Sequence, residues 1–346
     1  MQKKLIALAV AAAFSTPVLA ADVGVYGIVD AAIASITGDG QKSDLRAVSG
    51  GLSGSRLGFN ASEDLDNGMK VSINLEYSMD TEKGVAVPFG TRQEMLALSG
   101  DFGKISSGYL QTTAYYFNVK FDPTYGSAVS PLQSINKGTG SMLDGAARLT
   151  QTIAYATPKM GPFSAEVNYS TGNADAGNAG LPSGATAGLK TTVTLLSGIY
   201  ADGPLTVQAV YGKTASDNAV FTSTTETILG ASYDLGVAKI MGTYASNKAT
   251  VTNSLFSLSG VIPMGSGSVV ASYSANSMNT ANTGAKGFMA GYTQNLSKST
   301  TAYVAFENVK NDSATSGYSV MSNGVVTSLT AGGSSSLLIA GLRKKF

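Results

Sequence analysis

Over much of the chain apolar and polar residues take turns, in stretches about ten residues long, and period two is the signature of a β-strand with one apolar face. In Phe163-Ser164-Ala165-Glu166-Val167-Asn168-Tyr169-Ser170 the apolar residues fall on one side and the polar ones on the other. Val71, Ile73, Leu75 and Tyr77 oppose Ser72, Asn74 and Glu76 in the same way, and Val269, Ala271 and Tyr273 oppose Ser268, Ser272 and Ser274. Strands are predicted to begin near 23, 54, 68, 90, 104, 148, 162, 189, 204, 225, 237, 249, 267, 286, 299 and 334. That makes about sixteen, an even number suited to a closed antiparallel barrel with an aqueous lumen.

Alternation alone also fits a soluble β-sandwich, whose apolar face is core and whose polar face is wet. Three features favour a membrane barrel. Tight turns at Asp64-Leu65-Asp66-Asn67, Pro158-Lys159-Met160-Gly161, Ala201-Asp202-Gly203-Pro204 and Asp234-Leu235-Gly236 alternate with long connections rich in Gly, Ser, Thr and Asn, as short periplasmic turns alternate with long external loops. Nearly every strand carries an aromatic residue, among them Tyr26, Phe59, Tyr77, Tyr155, Tyr169, Tyr211, Tyr244, Tyr273 and Tyr292, as rings at a bilayer interface would be. The last segment, Leu337 to Phe346, reads as a full-length strand ending on an aromatic residue, which a sheet needs if its last strand is to pair with its first.

Composition narrows the function. Only 13% of residues are charged, 43% are hydrophobic, and Gly numbers 41 against 9 Pro, too apolar for disorder and too rich in Gly for a helical bundle. The net charge of +1 shows no basic excess to attract nucleic acid. Cys and His are both absent, which removes thiol and imidazole chemistry, the commonest zinc ligands and all disulfides. Phosphate-binding fingerprints are missing too, since Gly265-Ser266-Gly267 lacks a third Gly. No cofactor is expected.

Lys3 and Lys4, the apolar run Leu5 to Phe14 and the small-residue site Val18-Leu19-Ala20 predict a signal peptide over 1–20, with Ala21 opening the mature chain. The run is about half the roughly 20 residues that a membrane-spanning helix needs. Removing both lysines leaves 21 basic residues of the 23 against 22 acidic ones, a net −1.

Several blocks resemble the trimeric general porins of Gram-negative bacteria, in the branch of β-proteobacteria and Neisseria. They are Val25-Tyr26-Gly27-Ile28-Val29-Asp30-Ala31, Gly54-Ser55-Arg56-Leu57-Gly58-Phe59 continuing through Glu63-Asp64-Leu65 and Asn67-Gly68 to Leu75-Glu76, then Gly100-Asp101-Phe102-Gly103-Lys104, Arg148 with Ile153-Ala154-Tyr155, and Gly341-Leu342-Arg343 to Phe346. The resemblance implies an all-β, closed 16-stranded antiparallel transmembrane barrel over 21–346, with a third external loop, here 112–147, folded into the lumen as a constriction. It implies an outer-membrane location, passive diffusion of ions and small hydrophilic solutes, a homotrimer, contact with outer-membrane lipid and lipopolysaccharide, and recognition of the C-terminal strand, ending in Phe346, by the barrel-assembly machinery.

The resemblance also matches Arg56, Arg92 and Arg148 to a basic cluster on the wall at the constriction, with Glu76 near them. Parity puts Arg56 in the lumen with Gly58 and Asn60, opposite Leu57 and Phe59, and puts Arg148 there with Thr150 and Thr152, opposite Leu149, Ile153 and Tyr155. Arg92 shares its phase with Leu96 and Leu98, so either a bulge intervenes or Arg92 lies above the membrane band. Asp122 and Asp144, in the loop, are candidates for an opposing field. A basic wall implies mild anion preference. Gly108-Tyr109 stands where many members of the family carry Gly-Arg, which removes one positive charge near the root of the loop. Two rival functions frame the test. A lipid-cleaving barrel needs a Ser-His pair that this chain lacks, leaving only a carboxylate-based site, and a soluble carbohydrate-binding protein would dissolve without detergent.

Overall fold

The computed structural model describes residues 22–82, 90–136, 139, 141–143, 147–171, 191–217, 222–320 and 329–346. The predicted signal peptide and Asp144 lie outside them. The strands are β1 (Asp22–Gly38), β2 (Asp44–Ser49), β3 (Arg56–Asp64), β4 (Lys70–Ser78), β5 (Gly90–Gly100), β6 (Gly103–Gln111), β7 (Arg148–Ala156), β8 (Phe163–Ser170) and β9 (Thr191–Asp202). They continue as β10 (Leu205–Ser216), β11 (Thr224–Asp234), β12 (Lys239–Lys248), β13 (Thr252–Met264), β14 (Gly267–Met278), β15 (Ala285–Asn295), β16 (Thr300–Asn311) and β17 (Ser334–Lys345). Two short helices, α1 (Thr113–Phe121) and α2 (Pro131–Asn136), interrupt the connection from β6 to β7.

Each strand pairs antiparallel with its neighbours, and β17 returns to β1 through a register running from Ile28↔Lys345 to Gly38↔Ser335. Reciprocal backbone hydrogen bonds between Gly27 and Phe346, at 3.0 and 3.1 Å, extend that seam. Closure satisfies every edge, which a sheet in hydrocarbon requires. Seventeen segments make sixteen staves, because β2 and β3 lie end to end against β1: β2 pairs with Ala31 to Ile36, and β3 with Asp22 to Ile28. The predicted barrel is borne out, and the starts predicted for its sixteen strands fall within three residues of those observed. The short β2 was not anticipated.

Side-chain exposure is inverted relative to a soluble sandwich. In β13 Phe256 and Leu258 are exposed while Ser257 and Ser259 are buried, and in β14 Tyr273 is exposed while Ser272 and Ser274 are buried. The buried hydroxyls bond across the inner face, Ser259 to Ser272 at 3.0 Å and Ser274 to Ser257 at 2.9 Å. Apolar side chains outward and polar ones inward is the arrangement that lipid outside and water inside demand.

Among the described residues the inner wall carries a large apolar area, and the inward-folded third loop covers most of it. Phe117 and Phe121 of α1, Leu132 and Ile135 of α2, and Leu143 are fully buried with wall residues Leu195, Val210, Ile228 and Leu255. Gly230 of β11 lies directly beneath the two phenylalanine rings, and a Cβ there would stand 2.6 Å from each. Polar latches tie the same loop to the wall: Asn276 Nδ2 donates to the Ile135 carbonyl (2.5 Å), Lys120 Nζ to Gln208 Oε1 (3.1 Å), and the Met142 amide and Ser141 hydroxyl to the Glu226 carboxyl.

The break between β2 and β3 is held by Asp30, which is fully buried and accepts from the Leu52 and Ser53 amides and from the Tyr303 hydroxyl. The broken stave meets the loop through two backbone bonds, Gly54 N to Gly126 O at 2.9 Å and Ala128 N to Gly51 O at 3.1 Å.

Candidate pore-constriction site

Glu76 of β4 points inward and is buried. Arg92 Nε donates to its Oε1 at 2.6 Å, Gln111 Nε2 donates to the same oxygen at 3.2 Å, and the Tyr26 hydroxyl donates to Oε2 at 3.1 Å. Arg56, the first residue of β3, places Nη1 3.9 Å from Oε1 and anchors Nε on the Gly54 carbonyl at 3.0 Å. Arg92 also joins the wall to the root of the loop, with Nη2 3.4 Å from the Tyr115 hydroxyl. The Arg148 guanidinium lies 4.5 Å above the same Tyr115 ring, a cation–π contact. Three guanidinium groups are thus linked through one carboxylate and one phenol.

Arg92 reaches this cluster because of a bulge. Glu76 pairs with Gln93 and Tyr77 with Thr91, leaving Arg92 as the extra residue of β5. An unpaired residue in a bulge is free to re-aim its side chain, so Arg92 enters the lumen although Leu96, two pairs along, faces outward. A second irregularity lies between β6 and β7, where Gly108 pairs with Thr152 and Leu110 with Leu149. Gln151 sits at φ 46 and Gly108 at φ 135. Gly108 has no substitute here, since a Cβ would collide with the Glu94 carbonyl.

The second bulge corrects one reading. Leu149, expected on the lipid face opposite Arg148, is buried against the loop, because simple alternation fails across Thr150 and Gln151. Arg148 reaches the cluster from the root of the loop. Tyr26, read as an interfacial aromatic, instead points inward to Glu76 and accepts from Asn74 Nδ2 at 3.0 Å.

Asp122 does not oppose the arginines. It is buried in the loop's own turn and accepts from the Thr124 amide (2.8 Å), the Thr124 hydroxyl (2.7 Å) and the Ser130 hydroxyl (2.6 Å). Burial pushes its carboxyl above the usual range, and those three donors only partly offset it. The loop therefore offers phenols to the basic wall: Tyr115 stacks edge-on against Tyr125, ring centres 5.2 Å apart. Tyr109, where the family often has Arg, lies within electrostatic reach of Arg92 and Arg148. Tyr115 and Gln111 were missed as site residues. Their position at the root of a long connection was the available signal.

Comparison with known proteins matches the chain in sequence and the barrel in fold. The model of the Gram-negative porin family matches residues 7–314. This chain belongs to that family. Outer membrane porin protein 32 of Delftia acidovorans is 29% identical over 332 residues, which cover 91% of each chain. The major outer membrane protein P.IB of Neisseria gonorrhoeae is 32% identical over 180 residues, 49% of this chain and 48% of that one. Among solved structures, the anion-selective porin from Comamonas acidovorans superposes with a TM-score of 0.80 at 26% identity, covering 94% of this chain and 100% of that one. The porin is accordingly an outer-membrane channel of a Gram-negative bacterium, through which ions and small hydrophilic solutes diffuse passively, and its family and fold are those of channel proteins.

Proposed function

We propose that this porin is a mildly anion-preferring diffusion channel, with Arg56, Arg92, Arg148 and Glu76 as its selectivity residues and the segment 112–147 as its constriction. The observation that carries this reading is the charge imbalance: the cluster holds three guanidinium groups and one carboxylate, Arg92 and Arg56 on Glu76 and Arg148 over the Tyr115 ring, and Asp122 is turned away into its own turn. Positive charge at a narrow, partly desolvated section lowers the barrier for anions and raises it for cations. The description of the Comamonas relative as anion-selective agrees with it.

Cleavage after Ala20 delivers a mature chain starting at Ala21, and transport, not catalysis, is its whole activity, with no cofactor. Family membership supports a homotrimer standing in outer-membrane lipid and lipopolysaccharide, with the strand ending in Phe346 serving the barrel-assembly machinery. Planar-bilayer recording in a salt gradient tests the proposal. The expected result is a reversal potential of the anion-preferring sign with current steps in threes; a cation-preferring sign overturns the selectivity assignment.

A further inference from the structure

The lumen beneath the loop, on the side of the short turns, has a character that diffusion of ions does not explain. A cavity of about 210 Å³ opens there between Pro123 and Val129 of the loop and Val270, Met289 and Arg343 of the wall. It adjoins a second space of about 320 Å³ that shares Pro123 and Val261 with it and is bordered by Val119, Lys120 and Lys239. Val119 is 53% exposed although it faces this space. Apolar surface left bare inside a water-filled channel marks a place where an apolar body gains by binding.

The charges around it are of both signs, and one cation among them is under-bonded. Among the described residues Arg343 makes one long contact, Nη2 to the Thr301 hydroxyl at 3.5 Å, and its buried Nε has no hydrogen-bond partner. Asp30 is its cross-strand register partner, but that carboxylate is occupied by the Leu52 and Ser53 amides and the Tyr303 hydroxyl. In the adjoining space Lys120 and Lys239 stand with Asp234 at the rim, and Glu166 lies within electrostatic reach of Lys120. An under-bonded guanidinium beside an apolar wall suits one ligand chemistry, a carboxylate carried on a compact apolar body.

We propose that this space is a second solute station, taking a small aromatic monocarboxylate with its carboxylate on Arg343 and its ring on the partly exposed Leu52, Val261 and Val270. A cavity of about 150 Å³ holds a benzene ring, so the space has room for one ring and its charged group. The station lies below the arginine cluster and presupposes an open channel, not the sign of its ion preference.

The test is chloride current through single channels titrated with benzoate or with acetate, which share a charge and differ in apolar body. Benzoate is expected to reduce the current in a saturable way at concentrations where acetate does not. Arg343→Gln should raise the half-blocking concentration about tenfold, and Val270→Ser, which leaves every charge in place, should raise it severalfold. Equal effects of benzoate and acetate, or a half-blocking concentration unmoved in whichever of the two variants inserts, overturn the proposal. So does block that survives in both variants and disappears in Arg148→Gln, which would assign benzoate to the upper cluster. Reversal potentials recorded in the same membranes report on the ion preference separately.

Discussion

Glu76→Gln swaps a carboxylate for an amide of the same shape at the centre of the arginine cluster, and its effect can be worked from the geometry. The Gln carbonyl still accepts from Arg92 Nε, now 2.6 Å from Oε1, so the guanidinium groups keep their positions while the local charge rises by one. A permeating anion that passes ~5 Å from the site is relieved of a repulsion of about 0.8 kcal/mol if the lumen screens like bulk water, and about 3 kcal/mol at the effective dielectric of a protein surface. The lower figure corresponds to about a fourfold rise in anion permeability and, since a cation loses an equal attraction, to about a sixteenfold rise in the anion-to-cation permeability ratio. Reversal potentials in chloride gradients at ~0.1 M salt measure it, and the shift should shrink towards 1 M as the screening length falls from about 10 to 3 Å. Arg148→Gln should move the ratio the other way. An unchanged or lowered ratio in Glu76→Gln at low salt would refute the idea that these charges face permeating ions.

Asp122→Asn should leave the reversal potential where it is, because that carboxylate is buried in the loop's turn, while lost charge-assisted bonds of about 1.5–3 kcal/mol show as noisier open-channel current; a changed permeability ratio would return Asp122 to the lumen. Gly108→Ala should destabilise the folded barrel by about 1–3 kcal/mol, since φ 135 is closed to alanine and the Glu94 carbonyl occupies the space for a Cβ. Its check is a lowered unfolding temperature in detergent. Gly230→Ala should push Phe117 and Phe121 off the wall and α1 further into the lumen, which lower unit conductance would register.

Strand positions were legible because alternation is a local record of which face meets lipid: Phe163 and Tyr169 are exposed while Asn168 and Ser170 are buried, as their order along the chain implies. What stayed hidden depends on pairing between strands. The bulge that turns Arg92 inward is visible only in the offset of Gln93 and Thr91 against Glu76 and Tyr77, and the one at Gln151 inverts the reading of Leu149. Tyr26 looked like an interfacial ring because phase along β1 does not say which phase faces lipid at one end; its bond to Glu76 settles it. Asp122 was a candidate by position in the loop, and a loop's position does not say which way its turns face. The six-residue β2 was missed because it is short and carries Asp44 and Arg46 among its residues.

The two backbone bonds that join the broken stave to the loop, at Gly54 and Ala128, bear on any attempt to widen this channel. Excising the turn around Gly126 would strip partners from the Gly51 carbonyl and the Gly54 amide, groups that belong to the cylinder itself, next to the Asp30 junction. The insert is thus a structural rib as well as an aperture. Bore is better enlarged by trimming side chains such as Tyr115 than by shortening the segment that carries them.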